Sequence, residues 1–154
     1  MPDAGTHVPM VVYNPSKIKT GFDYNELFEF SDFLPTLAEA AGLPIPKKTD
    51  GKSFYPLFLN ENQPTRETVF VHYDPLKRAN NEQWYGRFVR DKTYKLYSDN
   101  RFYNVSKDAE EKHPMVDTEL TKKELLLKEK FEDELNSAPP HHFKQSDEYP
   151  KKIK

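Results

Sequence analysis

The chain has 154 residues, enough for one domain of ordinary size, and its 23 Lys plus Arg against 25 Asp plus Glu leave a formal net charge of −2. That balance gives no electrostatic footprint for nucleic acid or an anionic membrane, and no apolar run is long enough for a transmembrane helix. The absence of cysteine excludes disulfides, thiolate metal sites and a cysteine nucleophile within the chain, and the opening MPDAGTH lacks the charged-then-apolar pattern of a signal peptide.

An apolar share of 36% beside 31% charged residues implies a thin core, but 14% aromatic residues argue that the chain folds. In chain order, Val8-Pro9-Met10-Val11-Val12-Tyr13 reads as a strand buried on both faces of an α/β sheet, ended by Asn14-Pro15-Ser16. Asp32 to Ala41 reads as a helix with Ser31 as N-cap, Pro35 in the first turn, Phe33, Leu37, Ala40 and Ala41 on the buried face, and Gly42 as the left-handed stop. Asp50-Gly51 signals a turn, and Ser53 caps a short helical turn through Leu59. Residues 60–66 read as a polar loop.

From Glu67 the period changes to two. Thr68–Tyr73, Arg87–Arg90, Tyr94–Tyr97 and Arg101–Val105 read as strands of an antiparallel meander with one wet face. Thr121 and Glu124 form a capping box, with Leu120 and Leu125 placed as a hydrophobic staple. The helix they start runs to about Asn136 and lays Leu127, Phe131 and Leu135 across the meander. Pro139-Pro140 stops it.

The fold class expected is therefore an α/β fragment plus an α+β part. Residues 1–60 supply one buried strand and a helix; residues 67–137 form a small antiparallel sheet covered by a C-terminal helix; residues 138–154 are a polar tail. A two-faced strand with no neighbours leaves its backbone groups unsatisfied, so the chain is expected to be the C-terminal piece of a longer protein.

Few residues carry chemistry. His7 precedes the first strand, where a polar residue at the mouth of an α/β sheet can face a ligand. His72 and Asp74 lie where a strand runs into a loop. Each also has a plain reading, as a surface histidine or a turn residue. Trp84-Tyr85-Gly86-Arg87 is an aromatic and basic cluster that could line a sugar or aryl site, although packing at a strand start explains it better. His141-His142 is vicinal, without helical metal-ligand spacing, and Asn104-Val105-Ser106 matches a glycosylation triplet. No phosphate loop, nucleophile elbow or metal-ligand set is visible, so no catalytic or metal-binding residue is assigned to this chain.

Three stretches resemble the C-terminal end of arylsulfatase-type sulfatases. They are Asp3-Ala4-Gly5-Thr6-His7-Val8-Pro9 through Ile18; Asp32-Phe33-Leu34-Pro35-Thr36-Leu37 through Ala41-Gly42, followed by Asp50-Gly51-Lys52-Ser53; and Phe88-Val89-Arg90-Asp91-Lys92-Thr93-Tyr94-Lys95-Leu96 followed by Arg101-Phe102-Tyr103-Asn104. The pairing of D-x-x-P-T-L with a later D-G-x-S is the most specific of these. The resemblance implies an alkaline-phosphatase-like α/β parent that hydrolyses aryl or carbohydrate sulfate esters. It also implies a formylglycine nucleophile from a C/S-x-P-x-R motif and a Ca²⁺ ion, both sited upstream of Met1. The isolated chain is then expected to be inactive, and its partners would be the rest of the catalytic domain and a sulfated small molecule or glycan. Many relatives have Gly-Gly-x-Arg where this chain has Ala4-Gly5-Thr6-His7, so His7 does not inherit an arginine's role. His7, His72 and Asp74 stand as substrate-binding candidates. A phosphatase or phosphodiesterase of the same superfamily and a non-catalytic binding module are the alternatives. Compartment is left open, export being frequent among bacterial relatives.

Overall fold

A computed structural model describes residues 5–18, 21–59, 66–73 and 86–138. Its centre is a four-stranded antiparallel sheet in the order β1 (Val69–Tyr73), β2 (Gly86–Arg90), β3 (Tyr94–Tyr97), β4 (Phe102–Asn104), the meander that period-two alternation predicts. Register explains the core. Phe70, Val89, Leu96 and Phe102 pair in one row across all four strands, and directly opposed residues share a face. That row meets the C-terminal helix α3 (Lys122–Ser137) through Phe131 and Leu135, with Leu127 packed alongside.

The start of α3 is fixed locally. Thr121 Oγ1 accepts from the Glu124 amide at 3.3 Å, and Glu124 Oε2 accepts from the Thr121 amide at 2.8 Å. Tyr94 on β3 donates its hydroxyl to the other Glu124 oxygen at 2.8 Å, so the cap also ties helix to sheet. These bonds hold the Glu124 carboxyl below its ordinary value of 4.5, the Thr121 hydroxyl contributing most. Leu120 packs on the core, but Leu125 is exposed, so the expected staple does not close.

The opposite face of the sheet is not wet. Phe88, Tyr97, Tyr103 and Val105 form a second buried cluster there. Lys95, whose polarity suggested solvent, is fully buried; its Nζ lies 4.0 Å from the centre of the Phe88 ring and 2.6 Å from Glu111 Oε1. The other Glu111 oxygen accepts from the Tyr97 hydroxyl. Burial, then the Glu111 bond, push the Tyr97 phenol far above its ordinary range, so it remains a neutral donor. The loop after β4 thus folds over this face and closes it with a charge.

The N-terminal region differs from expectation. Residues 8–13 form no strand, and Val11 (91% exposed) and Tyr13 (83%) face solvent. A strand needs a neighbour to take its backbone bonds, and the described residues provide none. Helix α1 (Phe33–Ala40) follows a 3₁₀ turn at Phe30–Asp32. Ser31 is not its cap: the Ser31 hydroxyl donates to Glu29 Oε1, while Asp32 Oδ2 accepts from the Glu29 amide at 2.8 Å. Nor is the expected helix face buried; Pro35 and Thr36 are, whereas Leu37 is 64% exposed. Gly42 does stop the helix, at φ +70°, with the Leu43 amide bonded to Ala38 O at 2.8 Å. The short helix α2 (Tyr55–Phe58) has Phe54, not the expected Ser53, at its N-cap; the Ser53 hydroxyl accepts from the Tyr55 amide at 3.1 Å in the turn just before it. Its neighbour Phe54 gathers Phe28, Phe33 and Phe58 into an aromatic cluster. No helix among the described residues is long and apolar enough to cross a membrane.

Candidate functional site

The D-x-x-P-T-L and D-G-x-S stretches form one knot. Asp32 is fully buried, and its Oδ1 accepts from the Lys52 amide at 2.7 Å. One turn on, Thr36 Oγ1 donates to Asp32 O at 2.6 Å and accepts from the Phe54 amide at 3.0 Å. The loop lies so close that a Cβ at Gly51 would overlap the Ser31 carbonyl, so glycine is required there for space. The buried Asp32 charge is matched by Arg66. The Arg66 Nε donates to Asp32 Oδ2 at 3.0 Å, its Nη2 bonds Oδ1, and its Nη1 lies 3.0 Å from Glu29 Oε1. Arg66 Nη1 also reaches Thr68 O at 3.4 Å, immediately before β1. A paired, hydrogen-bonded ion pair of this kind tolerates burial, and removing Arg66 strands the buried Asp32 charge.

This knot does not do chemistry: every Asp32 oxygen is already engaged. Its effect is positional, because it ties the segment carrying α1 and α2 to the first residue pairs of the sheet. Arg66 was invisible in sequence, since its partner lies 34 positions away in what reads as a polar loop.

His7 lies exposed in the irregular segment ahead of residues 8–13. His72 is exposed on β1, directly opposite Arg87 on β2. Asp74 lies outside the described residues, as do Trp84, Tyr85 and the His141-His142 pair. The triplet at Asn104 is a closed local turn, Ser106 Oγ donating to Asn104 Oδ1 at 2.7 Å. Among the described residues no three His, Asp or Glu side chains gather as metal ligands. The donor set needed for a divalent cation is thus not provided by the described residues.

The knot and the closing sheet hold two of the stretches by which this chain resembles a sulfatase C-terminal segment, and comparison with known proteins gives the same class. The model of the family described as N-sulphoglucosamine sulphohydrolase, C-terminal, matches residues 1–138, and the chain belongs to that family. It is 37% identical over 93 residues to an ulvan-active sulfatase of Formosa agariphila, covering 60% of this chain and 19% of that protein. It is also 34% identical over 67 residues to human arylsulfatase K (41% of this chain, 12% of that protein) and 35% over 71 residues to human arylsulfatase A (46% and 14%). The chain therefore spans about a fifth or less of the length of these relatives. The matches are to sulfatases, and neither the phosphatase nor the binding-module alternative is favoured by them.

Proposed function

We propose that this chain completes a sulfuric ester hydrolase acting on a sulfated carbohydrate, by docking on the remainder of the catalytic domain. The observation that carries the reading is the unpartnered apolar surface of the N-terminal region. Val11, Tyr13, Phe30 (81% exposed) and Leu37 face solvent, although the same chain closes both faces of its sheet. Surface of that extent on one region marks an interface. In the parent, residues 8–13 join the α/β sheet as a strand, and Phe30, Leu34 and Leu37, at helical spacing, pack beside them. The formylglycine and Ca²⁺ then belong to upstream sequence, where metal-assisted displacement at sulfur takes place. The role left to this chain is to bind and orient substrate, with His7, His72 and Asp74 as the candidate residues. The carbohydrate is suggested by the names of the family and of the Formosa relative.

The test is to express the chain alone and in frame with the coding sequence upstream of Met1. The reading expects a C/S-x-P-x-R motif in that extension, turnover of an aryl sulfate by the extended protein, and none by the 154-residue chain. An extension without the motif, or turnover by the chain alone, overturns it.

A further inference from the structure

The two edges of the sheet differ. On the β4 side the chain closes its own edge: Phe102 O accepts from the Met115 amide at 2.7 Å, and Asn104 O accepts from the Asp108 and Lys107 amides at 2.9 and 3.1 Å. At β1 the register decides which groups face outward. Arg87 O accepts from the Ser98 amide, and the Asp91 amide donates to Tyr94 O, each at 3.0 Å, so Arg87, Val89 and Asp91 aim their backbone groups at β3. Phe88 and Arg90, between them, aim theirs at β1, where they oppose Val71 and Val69. Phe70 therefore points its N–H and C=O away from the sheet, and among the described residues neither group has a hydrogen-bond partner. Just before the strand, the carbonyl of Thr68 takes the Arg66 guanidinium at 3.4 Å. Natural edges are guarded by lysine, proline or a bulge. Strand β1 reads Val-Phe-Val-His-Tyr, carries none of these, and pairs with β2 in unbroken register over its five residues.

An open strand edge of this kind accepts an added strand through its backbone groups. We infer that an extended segment of the sequence upstream of Met1 pairs with β1 as a fifth strand of this sheet. The inference rests on the reading above that the chain docks on upstream sequence. Size favours a linked strand over a free peptide or a second copy. Five residues extend about 17 Å, and pairing along that length offers far less than the roughly 1,200–2,000 Å² buried between separate molecules in a stable complex. A strand on the same polypeptide needs no such area, because closing a long loop costs little more than closing a short one. The relatives hold ample chain for it, since this one spans about a fifth or less of their length. The edge is also continuous with the docking surface. Arg66, bonded to Thr68 O where the edge begins, holds the turn that presents the exposed Phe30 through Asp32 and Glu29. Phe70 and Val71 are half-buried on opposite faces of β1, packed against the helix-side and loop-side clusters. The added strand therefore carries β-branched or aromatic residues on both faces, and its backbone bonds the Phe70 N–H and C=O.

The test compares hydrogen exchange in the 154-residue chain and in the upstream-extended protein, read to single residues by mass spectrometry. In the chain alone the Phe70 amide should exchange far faster than those of Val69 and Val71, which face β2. In the extended protein it should slow by about a hundredfold or more and join them. An independent reading comes from p-benzoylphenylalanine in place of Tyr73, which ends β1 and is 39% exposed. On irradiation of the extended protein it should cross-link to an upstream segment of the same molecule. A Phe70 amide with the same rate in both proteins, a cross-link between two copies, or one that reaches no upstream residue overturns the added strand. This inference and the sulfatase reading fail separately. A fast Phe70 amide in an extended protein that hydrolyses an aryl sulfate removes only the strand. A slowed amide in an extended protein without turnover keeps the strand and removes the catalysis.

Discussion

Residues 66–138 and residues 5–59 solve the same problem differently. The sheet and α3 bury one row of side chains against the helix and another beneath the loop that carries Glu111. The N-terminal region has one aromatic cluster and one buried ion pair, and turns most of its large aliphatic side chains to water. The difference is one of topology. An antiparallel meander finds its hydrogen-bond partners within its own stretch of chain, whereas a lone strand of an α/β sheet cannot. Composition alone does not distinguish the two, because Val and Tyr occur in both.

If the sheet region is self-sufficient, its core should dominate stability. Phe131 is fully buried between α3 and the strands. Phe131→Ala should cost about 3–5 kcal/mol, the usual range for such a truncation, and should lower the midpoint of the whole cooperative melt. A melt unmoved by it would mean that the sheet is not the cooperative unit.

Asp32→Ala should have a smaller and local cost of about 1–3 kcal/mol, since it leaves the Lys52 amide and the Arg66 Nε without their acceptor while Glu29 still faces Arg66. The contrast lies in where the loss appears. Hydrogen exchange should speed at the Lys52 and Phe54 amides, which Asp32 and Thr36 bind directly or through the knot, while amides of β2 and β3 keep their protection. Gly51→Ala should produce the same pattern by sterics, through overlap with the Ser31 carbonyl.

How legible these regions were follows from the range of their interactions. The capping box at Thr121 and the Leu127, Phe131, Leu135 stripe are local, and both were readable at helical spacing. The four strands were readable from alternation, and β2, β3 and β4 also from the tight turns that join them. Lys95 misled: a lysine in an alternating strand suggests solvent, yet a carboxylate 16 residues on and two aromatic rings take it inside. Ser31 misled for a local reason: the chain already turns from Phe30, with Glu29 and Asp32 as the capping box of that turn and the Ser31 hydroxyl on Glu29. The D-x-x-P-T-L and D-G-x-S pairing was visible as a pattern, but the cause, one aspartate and one threonine holding a loop, was not. Arg87 was visible as a basic residue in an aromatic cluster; only register shows which face it occupies.

A smaller effect should come from the α3 cap. Thr121→Ala should cost about 1 kcal/mol. The Glu124 carboxylate, held below 4.5, adds a pH dependence: its contribution is complete above that value and is lost as pH falls through the lower folded-state value. Acid titration of helical circular dichroism should therefore show a step below pH 4.5 that is flattened in Glu124→Gln. An unchanged step would assign it to another carboxylate, with Asp108, held low mainly by the His113 amide, as the next to test.

The smallest effect is the most informative about the comparison. Leu37 is exposed on α1, so Leu37→Ser should move the melting free energy of this chain by no more than about 0.5 kcal/mol, as for other surface changes. In the protein extended upstream, the same residue would lie against the rest of the sheet, and the substitution should cost about 2–5 kcal/mol, as large-to-small changes do in a core. One side chain would then be surface in one context and core in the other. Equal and small effects in both would mean that this face of α1 stays wet in the longer protein, and that residues 8–13 and α1 must be docked by some other face. A large effect confined to the extended protein would locate the interface at the apolar stripe that starts at Phe30, and would explain why this region carries so much aliphatic surface without burying it.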